Sequence, residues 1–239
     1  MIPFLRRRKR VCTALVPAAG ESRRMEGAAK LFLRLNGAPV LARTLVALQL
    51  ASRVDEIIVA VREEDLEAAS RICKEYAITK CPQVIVGGDT RVKSVQLAAM
   101  AARRDADLLA VHDGARPLVT PELIDRVIEA AEKYGAAAPA VAAKDTVKRI
   151  KQDGTVDRTL NRSALRLVQT PQVFDADLLK GALQSAIEAE APITDDCSAV
   201  ERLGKEVLLI DGEEENLKLT TPLDLVLAQA VLEKRMAGE

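Results

Sequence analysis

Aromatic side chains are nearly missing from this chain, with no Trp, three Phe and two Tyr among 239 residues. Proteins that hold single-stranded nucleic acid stack bases on aromatic rings, and there is too little of that material here to build such a platform. A cationic field is missing too, because 35 Lys and Arg are cancelled by 35 Asp and Glu. Nothing therefore draws the protein to nucleic acid or to an anionic membrane, and a small molecule is the expected partner. One histidine and four cysteines without a Cys-x-x-Cys pair leave too few soft ligands for structural zinc. Cys12, Cys73, Cys81 and Cys197 read as reduced thiols of a cytoplasmic protein. His112 alone would have to serve any Ser-His-Asp or Cys-His mechanism, with no nucleophile in view, and it reads as a structural histidine. No apolar run approaches the roughly 18 residues of a membrane span. The basic run Arg6 to Arg10 precedes an apolar stretch, Val11 to Val16, that is short for a secretory signal. Residues 1–10 are expected to be a solvated tail leading into the first strand.

What is present is an ordinary globular balance, 49% hydrophobic and 29% charged. Short apolar runs alternate with helical spacing. Strands are expected at Cys12 to Val16, Glu56 to Val61, Gln83 to Val86, Leu108 to Val111, Ala136 to Ala143 and Glu206 to Ile210. Helices are expected at Val40 to Leu50, Glu64 to Tyr76, Thr90 to Arg103, Pro121 to Tyr134, Ala176 to Glu188, Asp195 to Leu203 and Pro222 to Met236. This rhythm predicts an α/β fold, a Rossmann-like three-layer sandwich with a mainly parallel sheet. It breaks at about 144–168, where Asp145 to Ile150 and Thr155 to Leu160 flank Gln152-Asp153-Gly154. That pattern predicts a β-hairpin arm, too small to be stable alone and in need of a surface to pack on. A second subunit is the natural candidate, and with no linker or repeat in view the chain reads as one domain with an inserted arm.

In open α/β sheets ligands sit beyond the carboxyl ends of the strands. Four segments there are chemically unusual. In Pro17-Ala18-Ala19-Gly20-Glu21-Ser22-Arg23-Arg24-Met25, small residues admit an anion close to the backbone, and Arg24 with Lys30 supplies charge. A strand-to-helix turn with solvated basic residues is the plainer reading. The glycine spacing of a dinucleotide fingerprint is absent, which disfavours a dehydrogenase, and Lys30 follows Ala29 rather than the Gly of a Walker loop. Gly87-Gly88-Asp89-Thr90-Arg91, continuing to Ser94, is either a helix cap or a base-and-ribose reader. His112-Asp113-Gly114-Ala115-Arg116-Pro117 is either a tight turn or the place where Asp113 holds Mg2+. The fourth group is Gln169-Thr170-Pro171-Gln172, Thr194-Asp195-Asp196 and Asn216-Leu217-Lys218-Leu219-Thr220, where capping and ligand contact are both open.

Together and in this order, Pro-Ala-Ala-Gly-x-x-x-Arg-Met with a following Lys, Gly-Gly-x-x-Arg-x-x-Ser-Val, His-Asp-x-Ala-Arg-Pro, Thr-Pro-Gln-x-Phe, Thr-Asp-Asp-x-Ser-Ala and Asn-x-Lys-x-Thr closely resemble the 2-C-methyl-D-erythritol 4-phosphate cytidylyltransferases of the non-mevalonate isoprenoid pathway. The resemblance runs from about Thr13 to Glu233. It implies attack of the methylerythritol phosphate oxygen on the α-phosphorus of CTP, with pyrophosphate leaving and Mg2+ as cofactor. It also implies a catalytic set of Arg24, Lys30 and Lys218, and nucleotide binding by Ala18, Ala19, Gly20, Ser22, Gly88, Asp89 and Ser94. Asp113 would lie by Mg2+ and the substrate, and Arg116, Thr146, Arg162, Thr170 and Thr194 would complete the acceptor side. In the family the arm reaches the partner subunit's site, so a homodimer is implied. Three positions depart from the family pattern: Ser22 where Gly is frequent, Glu21 as an acid within an anion loop, and Arg166 where Trp is frequent. A ribitol 5-phosphate cytidylyltransferase needs the same CTP machinery and is the nearest alternative. A catalytically silent CTP-binding protein is the alternative of another class.

Overall fold

Two apolar runs set the centre of the fold. β1 (Cys12–Pro17) and β4 (Glu56–Val61) are buried on both faces, which only an internal strand of a covered sheet requires. The computed structural model describes residues 9–20 and 30–238. Ser22, Arg24, Glu21 and most of the basic tail lie outside them, as does the side chain of Lys30. In chain order the other elements are β2 (Arg34–Leu35), β3 (Ala38–Pro39), α1 (Val40–Leu50), α2 (Leu66–Glu75), β5 (Gln83–Val86), α3 (Arg91–Ala101), β6 (Leu108–Val111), α4 (Pro121–Tyr134) and β7 (Ala136–Ala142). There follow β8 (Lys148–Ile150), β9 (Val156–Thr159), β10 (Arg166–Val168), β11 (Gln172–Asp175), α5 (Ala176–Glu188), α6 (Asp196–Glu201), β12 (Leu208–Asp211) and α7 (Pro222–Ala237).

The main sheet runs β10-β7-β11-β6-β1-β4-β5, with β12 on the far side of β7. β5, β4, β1 and β6 are parallel, as are β12 and β7; all the antiparallel pairings belong to β10 and β11. Alternate side chains divide the core between two faces. Ala14, Val16, Ile57 and Val59 pack with α1, α2 and α4, while Leu15, Ile58 and Ala60 pack with α3, α5 and α6. A smaller cluster, with Leu35, Leu118, Leu219 and Leu232, seats α7. The expected Rossmann-like three-layer α/β architecture is present.

Several expected boundaries shift for local reasons. Glu63–Asp65 forms a 3-10 turn before α2, so the α-helix itself starts at Leu66. α4 is bounded as its sequence dictates, by Thr120 accepting from the Leu123 N–H and by Gly135 in the left-handed region. The hairpin β8–β9 forms a sheet of its own with a bulge at Arg149/Ile150. Its turn is longer than two residues: Gly154 N–H donates to the Lys151 carbonyl, Lys151 N–H to Thr155, and Gly154 has φ 83°. At the start of the described chain Lys9 pairs with Asp55 at 3.1 Å and Arg10 with Asp175, so these two cations of the basic run are bound rather than free.

Candidate active site

The parallel strands end in near-level register, and the ladder continues past them. Ala18 N–H donates to the Ala60 carbonyl at 2.7 Å, Gly87 N–H to Val61 at 2.7 Å, and His112 N–H to Leu15 at 2.9 Å. Three loops are thereby launched side by side: the one after β1, the one after β5 and the one after β6.

The first two loops touch. A Cβ on Gly87 would lie 2.8 Å from both Ala19 Cβ and Ser94 Oγ, so glycine is what lets them meet. Ser94 Oγ accepts from Gly88 N–H at 3.1 Å and lies 2.9 Å from the Thr90 carbonyl, tying this turn to the first turn of α3. Thr90, not Asp89, caps α3, by accepting from Lys93 N–H. Asp89 is exposed and pairs with Lys93 at 3.0 Å. Ala18, Ala19, Gly20, Arg91, Ser94 and Asp113 line one pocket, with Lys218 at its edge.

Asp113 is the electrostatic centre of that pocket. Its carboxylate faces Lys218 Nζ at 2.8 Å, Arg91 Nη2 at 3.3 Å and Arg116 Nε at 3.7 Å. Burial alone would raise its pKa, but Arg91, Lys218 and Arg116 outweigh burial and hold the carboxyl well below the usual carboxylate range. Arg91 also binds the buried Asp196 at 2.7 Å, bridging the loop after β6 to the start of α6. Burial pushes Asp196 upward against the pull of Arg91, and its Oδ1 has no hydrogen-bond partner.

Behind Asp113 a neutral histidine fixes the backbone. His112 is fully buried, and desolvation pushes its pKa down to about 4. Its Nε2 lies 3.3 Å from the Arg116 carbonyl, which can only accept, so Nε2 carries the proton and Nδ1 accepts from Thr170 Oγ1 at 3.0 Å. Thr170 Oγ1 in turn accepts the Asp113 N–H at 3.1 Å. Asn216 donates from Nδ2 to the Thr170 carbonyl at 2.9 Å and accepts at its own carbonyl from Arg116 Nη1 at 2.7 Å. Leu219 N–H closes onto the Ala115 carbonyl at 2.8 Å, which presents Lys218.

A second cavity, of about 590 Å3, opens on the other side of Lys218 and is lined by Arg116, Lys144, Leu167 and Gln169 among others. Its size suits a small ligand. A larger cavity of about 900 Å3, beside Arg10, Asp107 and Asp175, lies at the opposite ends of the strands from these loops.

Of the residues singled out in the sequence, Ala18, Ala19, Gly20, Ser94, Asp113 and Lys218 share one pocket, and Gly88 supports it through Ser94. Arg116 lines the second cavity and Thr170 stands behind Asp113. Thr194 is exposed beside the capping box that Asp195 and Ser198 form at α6, and is not drawn into either pocket. Thr146 and Arg162 are exposed on the arm side, with Arg162 Nη1 donating to the Lys144 carbonyl at 2.7 Å. Arg166, the departure at the arm's base, turns its guanidinium onto the Ser163 and Leu165 carbonyls, a use that needs no aromatic neighbour. Sequence reasoning missed Arg91 and Asp196 as a pair; the available signal was an Arg within the Gly-Gly motif and an acid following the helix cap.

The profile of the 2-C-methyl-D-erythritol 4-phosphate cytidylyltransferases, IspD, matches residues 12–234. The chain belongs to this family. It is 42% identical over 221 residues to the 2-C-methyl-D-erythritol 4-phosphate cytidylyltransferase of Dehalococcoides mccartyi, covering 92% of this chain and 96% of that one. With the same-named enzyme of Bacillus thuringiensis the identity is 43%, over 92% and 97% of the two chains. The 4-diphosphocytidyl-2C-methyl-D-erythritol synthase structure from Anaerococcus prevotii superposes with a TM-score of 0.86 at 31% identity, covering 94% and 97%. For the Thermus thermophilus cytidylyltransferase the TM-score is 0.76 at 34% identity, covering 93% and 99%. As a member of the IspD family the chain is a nucleotidyltransferase.

Proposed function

We propose that the chain joins CTP to 2-C-methyl-D-erythritol 4-phosphate, releasing pyrophosphate and forming the CDP-linked alcohol of non-mevalonate isoprenoid synthesis. The observation that carries the site assignment is Lys218, whose ammonium stands on Asp113 and which lines both the nucleotide-side pocket and the 590 Å3 cavity. Ala18, Ala19 and Gly20 cradle the nucleotide phosphates, a role that the family resemblance extends to Ser22, outside the described residues. Gly88, Asp89 and Ser94 read cytidine. Arg116 and, from the arm, Thr146 and Arg162 hold the methylerythritol phosphate, while Thr170 serves it indirectly by holding the Asp113 backbone.

An oxygen of the acceptor phosphate attacks the α-phosphorus of CTP while the bond to the departing pyrophosphate breaks. The nucleophile is already an anion, so no general base is required. Bringing two anions together is the barrier the protein must lower, by positioning them and by offering fixed positive charge. Lys218 and Arg116 supply this on the acceptor side, Arg24 and Lys30 on the nucleotide side.

Mg2+ fits the donor set in the form that takes one protein carboxylate together with nucleotide phosphates. Asp113 is the one carboxylate among the described residues of the nucleotide pocket, and its neighbours keep it ionised. No cluster of three His, Cys, Asp or Glu among the described residues offers an all-protein cage. When bound, the ion neutralises phosphate oxygens as charge builds on them.

We place the working unit as a homodimer in the cytoplasm. Ile150 and Val156 of the arm are 63% and 54% exposed, an apolar surface that a second copy would cover. Among the described residues no helix is long and apolar enough to cross a membrane. Nothing observed favours ribitol 5-phosphate as acceptor or a silent CTP-binding role. Pyrophosphate release from CTP and Mg2+ tests the assignment: turnover should depend on methylerythritol phosphate, and faster release with ribitol 5-phosphate would reverse the choice of acceptor.

A further inference from the structure

Far from the nucleotide pocket, two thiols meet. Cys73 is in α2, and Cys81 lies in the turn that leads into β5, at the opposite end of that strand from Gly87. Their sulfurs share a hydrogen-bonded contact at 3.7 Å, and Cys81 Sγ also donates to the Gln83 carbonyl at 3.4 Å. Both cysteines are partly exposed, unlike Cys12 and Cys197, which are buried.

The turn between them is held from both sides. Ile78 N–H donates to the Cys73 carbonyl at 2.9 Å, and Cys81 N–H to Ile78 at 3.2 Å. Lys80 donates through its N–H to Gln49 Oε1 at 2.9 Å and through Nζ to the Ala51 carbonyl at 2.7 Å. The two sulfurs are thus held close by backbone that is already fixed. Closing from 3.7 Å to the roughly 2.0 Å of a disulfide is within reach of side-chain rotation.

We propose that Cys73 and Cys81 form a peroxide-reactive dithiol site that closes to an intramolecular disulfide in the folded protein, ahead of the other two cysteines. The Cys73 thiolate attacks one oxygen of hydrogen peroxide; the O–O bond breaks, giving a sulfenic acid at Cys73 and, with one proton, water. Cys81 Sγ then attacks the Cys73 sulfur, an S–S bond forms, and the hydroxyl leaves as a second water with the Cys81 proton. Two thiols are oxidised, one peroxide is reduced, and atoms balance without a further reagent. Cys73 is the attacking partner because, once it is a thiolate, the Cys81 S–H can turn from the Gln83 carbonyl onto the Cys73 sulfur 3.7 Å away, which holds the Cys73 pKa down, whereas burial pushes Cys12 and Cys197 upward.

The test uses the reduced, folded full-length protein and one equivalent of hydrogen peroxide. Two of the four thiols should vanish from titration, and peptide mapping without reductant should join the Cys73 peptide to the Cys81 peptide. The Cys81→Ser variant, whose replacement is nearly isosteric, should instead stop at a sulfenic acid on Cys73 that dimedone traps. A reductant should restore all four thiols of the unsubstituted protein. Four thiols surviving, a link between chains, or first oxidation at Cys12 or Cys197 would each overturn the proposal.

Discussion

Lys218 is the side chain on which the two halves of the site meet, 2.8 Å from the Asp113 carboxylate. Lys218→Ala should leave the fold intact, since the side chain is 41% exposed, and lower kcat by roughly a hundredfold to a thousandfold, the usual effect of losing one fixed donor to a developing charge. Pyrophosphate release with both substrates saturating measures it. His112 makes a different prediction. Its folded pKa of about 4 lies below its ordinary 6.5, so the folded state prefers the neutral ring. The stability this gives is complete above pH 6.5 and is lost as pH falls toward 4, by about 3 kcal/mol in total. Urea midpoints across that window, in metal-free buffer, should fall accordingly, and His112→Gln should flatten that part of the slope. Arg91 was not legible as a functional residue, because its meaning depends on Asp196, 105 positions later. Replacing Arg91 with Ala leaves Asp196 buried without its cation and should destabilise the protein by about 3 kcal/mol, with Arg91→Lys recovering part of the loss.

At the scale of elements, strands with strong apolar character and helices with clear caps were readable in advance, and β11 was not. It is four residues long, begins with Gln172 and ends with Asp175, yet it sits between β6 and β7. Its strand character comes from its neighbours, since β6 and β7 supply the backbone partners and Phe174 fills the core. The loop after β5 was legible as a turn, but not the reason for its glycines. Only the approach of Ala19 shows that Gly87 is the contact between two loops. Gly87→Ala should force them apart and raise KM for CTP on the order of tenfold or more, with a smaller change in KM for methylerythritol phosphate. Initial-rate kinetics with each substrate varied in turn separates the two.

At the scale of the molecule, the arm is a two-stranded sheet of its own, and such a sheet is marginal without a surface to lie on. Substituting Ile150 and Val156 together by Asp should shift sedimentation toward the monomer and reduce turnover in parallel. If the site is composite, Arg162→Ala and Lys30→Ala chains, each inactive alone, should recover activity after subunit exchange, because each hybrid holds one site with both residues intact. The sequence made the hairpin legible through its Asp-Gly turn but carried no information on what the arm rests against.

The nucleotide-side loop is drawn from the first strand, yet its pocket is finished by a strap near residue 218 that closes onto Ala115 and Arg116. A chain emerging from the ribosome therefore passes most of its synthesis with an incomplete pocket, and a product cut off before Asn216 would lack Lys218, the cation that lines both cavities. On the proposed role of Lys218, chains terminated before it should be inert toward CTP turnover even where their sheet has formed.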